Sequence, residues 1–390
     1  MTATRRWALL ALALALLAGG AVAVAARPAD DADEGAVALA RRVQASADAS
    51  WSGYVETQGT LALPEADRFD SVGDLLGERT RLRAWWRDDD AWRVDRLRAT
   101  GEVSLRHEGR RTTEWSYESG VADGEADRAV DPDVRLPRVV DLLPPELARR
   151  VLDDVRPDEV ARIGARRVAG RDALGLRVTP SLPQASVGRV DVWADAETGV
   201  PLAVELYDDP AAPPVLTTAF GDFSAEEPAA STVAFDPPPG VRVVDDEVLD
   251  IVDAVARYAE QRPPRRLGGL ELTDDSSGAV GVYGRGVTRM LALPLEERGA
   301  GPLREQLAGT PGADVTDQRT LATIGPLGVA LTDDGDGDEW LVTGAVDGRT
   351  LQRAARRLAP EPVTLDAAVR RGVQVAPAGR DDAGRGTGDR

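Results

Sequence analysis

The strongest constraint on the fold is a two-residue hydrophobic period that recurs along the first half of the chain. Trp51, Gly53, Val55, Thr57, Gly59, Leu61 and Leu63 alternate with mostly polar residues. A strand with one buried and one wetted face requires this pattern, because successive side chains of extended backbone point to opposite sides. It returns in Leu82, Ala84 and Trp86 set against Arg81, Arg83 and Trp85, then in Trp92 and Val94, in Val103, Leu105 and His107, and in Thr113, Trp115 and Tyr117. These segments follow one another at a spacing of about ten residues, with acidic or glycine-containing turns such as Arg87-Asp88-Asp89-Asp90 between them. That is too little chain for parallel crossovers, so an antiparallel meander is expected.

Helical spacing appears at two places in this region. Val37, Ala40, Val43 and Ala47 form a short stripe before the first strand. In Leu143-Pro144-Pro145-Glu146-Leu147 the prolines sit where a first helical turn tolerates them, and Leu147, Val151, Leu152 and Val155 continue as one apolar face. Strands resume near 166–168, 174–178, 190–193, 202–206 and 215–223, with Asp195-Ala196-Glu197-Thr198-Gly199 as a hairpin loop. The cluster Asp236-Pro237-Pro238-Pro239-Gly240 cannot continue a ladder, which puts the end of the main domain (36–245) near it. Beyond it a stripe of Val248, Ile251, Val252, Val255 and Tyr258 is followed by short strands near 270–272, 280–283, 288–293, 321–324, 329–332 and 340–343. Helices are expected near 302–308 and 350–358, so 246–360 reads as a smaller α+β unit. Residues 361–390, ending in Gly, Arg and Asp without an apolar face, should be largely disordered.

The N-terminus fixes the compartment. Arg5 and Arg6 precede an uncharged apolar run from Trp7 to Ala26, the plan of an export signal. Ala21-Val22-Ala23 and Ala23-Val24-Ala25 offer small-residue cleavage sites, while a run of about 20 residues also spans a bilayer. Residues 1–26 are therefore a cleaved signal peptide or one retained transmembrane anchor, and 27–35 an acidic linker. The working part is extracytoplasmic on either reading. The chain has no cysteine, so it carries no disulfide, no thiolate metal site and no lipid-accepting thiol. Its formal charge is −19, from 66 acidic against 47 basic residues. That balance repels phosphate backbones, and nucleic acid is not an expected partner.

The residues that carry chemistry are few. His107 is the only histidine, no serine or cysteine lies in a nucleophile context, and an enzyme is not expected. Asp334-Gly335-Asp336-Gly337-Asp338 imitates the start of a calcium loop, but Glu339 replaces the turn glycine and Ala345 occupies the twelfth position. Gly284-Arg285-Gly286 lacks the remaining glycines and the helix of a phosphate loop. No metal or cofactor is assigned. The aromatics say more: of eight tryptophans, Trp51, Trp85, Trp86, Trp92, Trp115 and Trp193 fall on strands of one domain. Large rings on one sheet face can line an apolar cavity, which makes Trp51, Val55, Trp85, Trp92, Trp115 and Trp193 its candidate lining. Ordinary core packing is the alternative for each ring.

Several segments carry a family likeness. They are Trp51 to Leu63, Arg81-Leu82-Arg83-Ala84-Trp85, Leu142-Leu143-Pro144-Pro145-Glu146-Leu147-Ala148, Val168-Ala169-Gly170-Arg171-Asp172-Ala173 and Asp191-Val192-Trp193-Ala194-Asp195-Ala196-Glu197-Thr198-Gly199-Val200-Pro201-Leu202. Together they resemble the lipoprotein-carrier superfamily of LolA and LolB, and within it the periplasmic sigma-E regulatory proteins of the RseB (MucB) type. The resemblance implies an α+β protein: an open antiparallel half-barrel covered by helices, enclosing a cavity for acyl chains, followed by a smaller α+β domain. It also implies a partner, a membrane anti-sigma factor or a lipoprotein, and no catalytic residue. The expected function is a non-enzymatic envelope protein that senses an acyl-bearing ligand and regulates an anti-sigma factor. The alternatives are a lipid or lipoprotein shuttle and a structural envelope protein without ligand.

Overall fold

The computed structural model describes residues 29–61, 70–117, 125–131, 135–245, 251–257, 259, 262–295, 297–333 and 339–358. The segment 1–26 expected to direct export, the acidic run 334–338 and the tail 361–390 lie outside the described residues. Among those described, no helix is long and apolar enough to cross a membrane.

The alternating segments assemble into one 12-stranded sheet. Its first half is a meander of β1 (Trp51–Gly59), β2 (Arg79–Asp88), β3 (Ala91–Leu97), β4 (Glu102–Glu108), β5 (Arg111–Ser116) and β6 (Glu125–Val130). Its second half is β7 (Val160–Val168), β8 (Arg171–Val178), β9 (Arg189–Asp195), β10 (Pro201–Tyr207) and β11 (Leu216–Ser224). The halves join where β1 pairs antiparallel with β11. The order is β12-β6-β5-β4-β3-β2-β1-β11-β10-β9-β8-β7, with β12 (Arg242–Asp245) and β7 as unjoined edges. The sheet is thus large and unclosed, as an open half-barrel requires.

It departs from the expected all-antiparallel pattern at one edge. There β12 runs parallel to β6, Arg242 opposite Glu125 and Asp245 opposite Arg128. The strand arrives after the proline cluster and a long excursion of chain, so no hairpin dictates its direction. Periodicity does not announce β6 or β12, because their exposed edges alternate poorly.

Helices cover the sheet. α1 (Ala36–Ala45) buries Leu39, Ala40 and Val43. The expected stripe included Val37, which is only half-buried, and omitted Leu39. α2 (Asp70–Gly77) lies beside β1 and contributes the buried Leu75. α3 (Pro144–Leu152) packs on β10 and on α1, burying Ala148, Val151 and Leu152. α1 and α3 share with β8, β9 and β10 a core of Leu39, Val43, Leu152, Leu174, Val192 and Val204. The acidic stretch before α1 is tied down, not free: Asp31 pairs with Arg162, and Glu34 with Arg42.

A second sheet has six strands in the order β15-β16-β20-β19-β18-β17. They are β15 (Gly281–Arg285), β16 (Thr288–Leu295), β17 (Asp314–Thr316), β18 (Arg319–Ile324), β19 (Leu327–Asp333) and β20 (Glu339–Gly344), preceded by the hairpin of β13 (Arg266–Leu267) and β14 (Leu270–Glu271). The remaining helices are α4 (Ala230–Val233), α5 (Ile251–Ala256), α6 (Glu297–Ala308) and α7 (Gly348–Leu358), the last packed on β19 and β20. Tyr283, Met290, Ala330, Trp340 and Leu351 form a core of its own. This sheet abuts the first: Ala185 bridges to Val346, the Asp347 amide donates to the Gln184 carbonyl at 2.8 Å, and Arg285 pairs with Glu159.

Candidate functional site

The site begins with register. Trp51 is directly opposite Trp86, Trp86 opposite Trp92, Trp92 opposite His107 and His107 opposite Thr112, across five consecutive strands. Opposed residues of antiparallel strands share a face, so one side of the sheet carries a transverse row of rings. The rings stack nearly parallel: 5.6 Å between Trp51 and Trp86, 5.5 Å between Trp86 and Trp92, and 5.1 Å between Trp92 and His107. At the other end Phe220 meets Trp51 edge-on at 5.3 Å, and Phe223 meets Phe220 at 5.1 Å. Offset and edge-on contacts at these separations are the favourable arrangements of aromatic quadrupoles.

Of the candidate residues, Trp51, Val55 and Trp92 lie together on this face, with Val55 opposite Leu82 and Phe220. The structure puts Trp85 and Trp115 on the other side of the sheet, and Trp193, though a member of the same core cluster, out of register with the row. Trp85 is half-buried on the other side with the Arg93 guanidinium 4.8 Å from its ring, and Trp115 packs there against Phe235 at 6.1 Å. Trp193 pairs with Ala203 and Gly175, out of phase with Val192 and Val204, and lies under Arg166 at 4.2 Å. The candidate set omitted Trp86, His107 and Phe220. Trp86 was within reach, because it alternates with Trp85 and belongs with Leu82 and Ala84.

A short cover lies over the row. Val139, Val140 and Leu142, in a 3-10 turn (Val139–Leu142), join Leu143 and Leu75 in the core cluster of Trp51, Trp86 and Trp92. The turn runs directly into α3, whose Pro144 and Pro145 need no amide partners at a helix start. Polar groups fix the cover. Thr218 donates to the Leu142 carbonyl at 2.7 Å. The buried Asp141 carboxylate accepts from Arg135 at 2.8 and 3.1 Å and from the Arg138 amide at 2.7 Å, and it is ion-paired with Arg150.

The far end of the row is ionic. The His107 ring nitrogen is 3.0 Å from the Thr112 hydroxyl and 3.3 Å from Asp131, and Thr112 donates to Asp131 at 2.6 Å. Arg138 closes the chain at 2.8 Å from the other Asp131 oxygen. Burial alone would raise the Asp131 carboxyl; hydrogen bonds from His107 and Thr112 and the Arg138 charge outweigh it and hold the group well below the usual carboxylate range. Where α1 ends, a cleft of about 10 Å³, room for about one water molecule, is lined by Trp51, Trp86, Pro145, Glu146 and Arg149 among others. Burial raises the Glu146 carboxyl there in spite of its pairing with Arg149. The described residues contain no group of three or more His, Cys, Asp or Glu placed to hold a metal ion.

No family model matches the sequence, and no curated protein matches it. Solved structures resemble the chain at low identity. A MucB–MucA complex from Pseudomonas aeruginosa has a TM-score of 0.46 and 20% identity, over 81% of this chain and 95% of that one. MucB in complex with MucA(peri) gives 0.45 and 19%, over 82% and 97%. A LolA superfamily protein from Nitrosomonas europaea gives 0.22 and 10%, over 52% and 98%.

Proposed function

We propose that this is a non-enzymatic binding protein of the cell envelope, delivered outside the cytoplasm by residues 1–26, that takes an acyl-bearing ligand on its aromatic face and regulates a membrane anti-sigma factor. The observation that carries the reading is the stacked row Trp51–Trp86–Trp92–His107 on an unclosed sheet. Among the described residues the cover over the row is one 3-10 turn, the start of α3 and Leu75 of α2, not a second sheet. A face so covered can be uncovered by moving few residues, and the aromatic surface beneath would then meet an alkyl chain along its whole length. The partner class comes from the sequence resemblance, and MucB, similar to this chain, has been solved bound to MucA. The six-stranded sheet, with its own core, fits a regulator better than a single-domain carrier.

Two measurements test the two halves of the reading. Native mass spectrometry of the exported chain should show a lipid adduct that cis-parinaric acid displaces; no adduct and no parinarate binding would leave the structural-protein alternative. Deleting the gene should change transcription from promoters driven by an extracytoplasmic sigma factor. Unchanged transcription would remove the regulatory half and leave the lipid or lipoprotein shuttle.

A further inference from the structure

One helix of the six-stranded unit carries four arginines on a single exposed face. Helix α7 buries Thr350, Leu351, Ala354 and Ala355 against its sheet and exposes Arg349, Arg353, Arg356 and Arg357. At helical spacing these four fall on one stripe about 100° wide, because positions i, i+4, i+7 and i+8 share a face. Many arginines elsewhere are tied to carboxylates, among them Arg42 to Glu34, Arg93 to Asp95, Arg177 to Asp191 and Arg285 to Glu159. None of the four is. The hydrogen bonds of Arg353 go to the Gly268 carbonyl at 3.2 Å and the Thr350 hydroxyl at 2.8 Å, and no carboxylate among the described residues pairs with Arg349, Arg356 or Arg357.

The helix does not need this pattern. Arg356 and Arg357 suit the negative end of the helix dipole, but Arg349 sits in the first turn, where a cation is disfavoured. Like charges four residues apart, Arg349 with Arg353 and Arg353 with Arg357, weaken a helix further. Four unpaired guanidiniums on a chain of net charge −19 are a local positive field in a negative one.

We propose that the Arg349–Arg353–Arg356–Arg357 stripe of α7 is a docking surface for an acidic peptide segment of a protein partner. Guanidinium forks accept carboxylates in two-point contacts, and a straight row of them matches side chains repeated along a peptide. Charge complementarity favours a short segment over a lipid surface. An extended anionic membrane would also meet the acidic remainder of the molecule, whereas a peptide feels mainly charges within a Debye length, about 8–10 Å. The inference does not require the partner to be an anti-sigma factor.

The test is titration of the exported chain, residues 27–390, with fluorescein-labelled decaglutamate, with decaglutamine as the neutral probe and phosphatidylglycerol vesicles as the lipid probe. Decaglutamate should bind, weaken steadily with added salt, and lose about tenfold or more in affinity in the combined Arg349→Gln, Arg353→Gln, Arg356→Gln, Arg357→Gln variant. Arg81→Gln with Arg83→Gln, on the outer surface of the large sheet, should bind as the unmutated chain does. Circular dichroism reports whether each variant is folded, and salt dependence of the unmutated chain reads the same surface without mutation. Equal binding of decaglutamine, salt-independent binding, unchanged affinity in the folded fourfold variant, or tighter binding to vesicles than to peptide would each overturn the proposal.

Discussion

Trp86 and Trp85 are neighbours in sequence and opposites in physical situation. Trp86 is 4% exposed between two stacked indoles, whereas Trp85 is half-buried beneath Arg93 on the outer surface. Trp86→Ala should therefore cost about 3–5 kcal/mol in chemical denaturation, since it removes a packed ring and leaves a cavity. Trp85→Ala should cost about 1 kcal/mol, the scale of an exposed cation–π contact. Equal losses would mean that the face assignment is wrong. That the two rings part was legible, because Leu82, Ala84 and Trp86 alternate against Arg81, Arg83 and Trp85. Which ring stacks on which was not. Alternation fixes a face within one strand, while pairing between strands depends on register, set by turns whose geometry composition does not reveal. His107 shows the same limit, since its partner Asp131 comes from beyond the next strand.

At the scale of elements, the 3-10 turn and α3 are held by a carboxylate rather than by buried area alone. Asp141→Ala would leave Arg135 without its ion partner and the Arg138 amide without its acceptor. The expected cost is about 2–3 kcal/mol, with hydrogen exchange accelerated first in residues 139–147. Uniform acceleration across β1 to β5 would show that the cover and the sheet open as one unit. The proline pair announced α3 in the sequence and its apolar stripe was readable. The preceding turn carried no period, because its cohesion comes from distant arginines and from Thr218.

At the scale of the molecule, the two sheets meet around a buried ion pair. Glu159 accepts both Arg285 guanidinium contacts, at 2.6 and 2.9 Å, and the amides of Arg156 and Ser181. Burial raises its carboxyl, but these donors outweigh that and bring it to about 2. A depressed carboxylate contributes stability that is fully present above its unfolded value, about 4.3, and is lost as pH falls toward the folded one. Asp131 and Asp195 are shifted in the same direction and Glu146 in the opposite one. The urea midpoint should therefore fall between pH 6 and pH 3, and Glu159→Gln should flatten that dependence. The same variant should cost about 3–5 kcal/mol at neutral pH by leaving Arg285 unpaired. A pH dependence unchanged in Glu159→Gln would remove this pair as its source. After the proline cluster 237–240 the chain first rejoins the large sheet as β12, and the contacts between the sheets come from the turn Pro157–Glu159, from Asp153, from β15 and β16 and from the loop 182–186, which no local pattern foretells.

The row Trp51–Trp86–Trp92–His107 is proposed as the face that receives an alkyl chain. Brominated fatty acids quench tryptophan on contact, so titration of the exported chain with 9,10-dibromostearate reads that face directly. Quenching should be saturable, largely disappear in Trp86→Phe and Trp92→Phe, and persist in Trp85→Phe and Trp115→Phe. Absence of saturable quenching, or quenching that survives loss of the stacked indoles and vanishes with Trp85 or Trp115, would contradict the proposal.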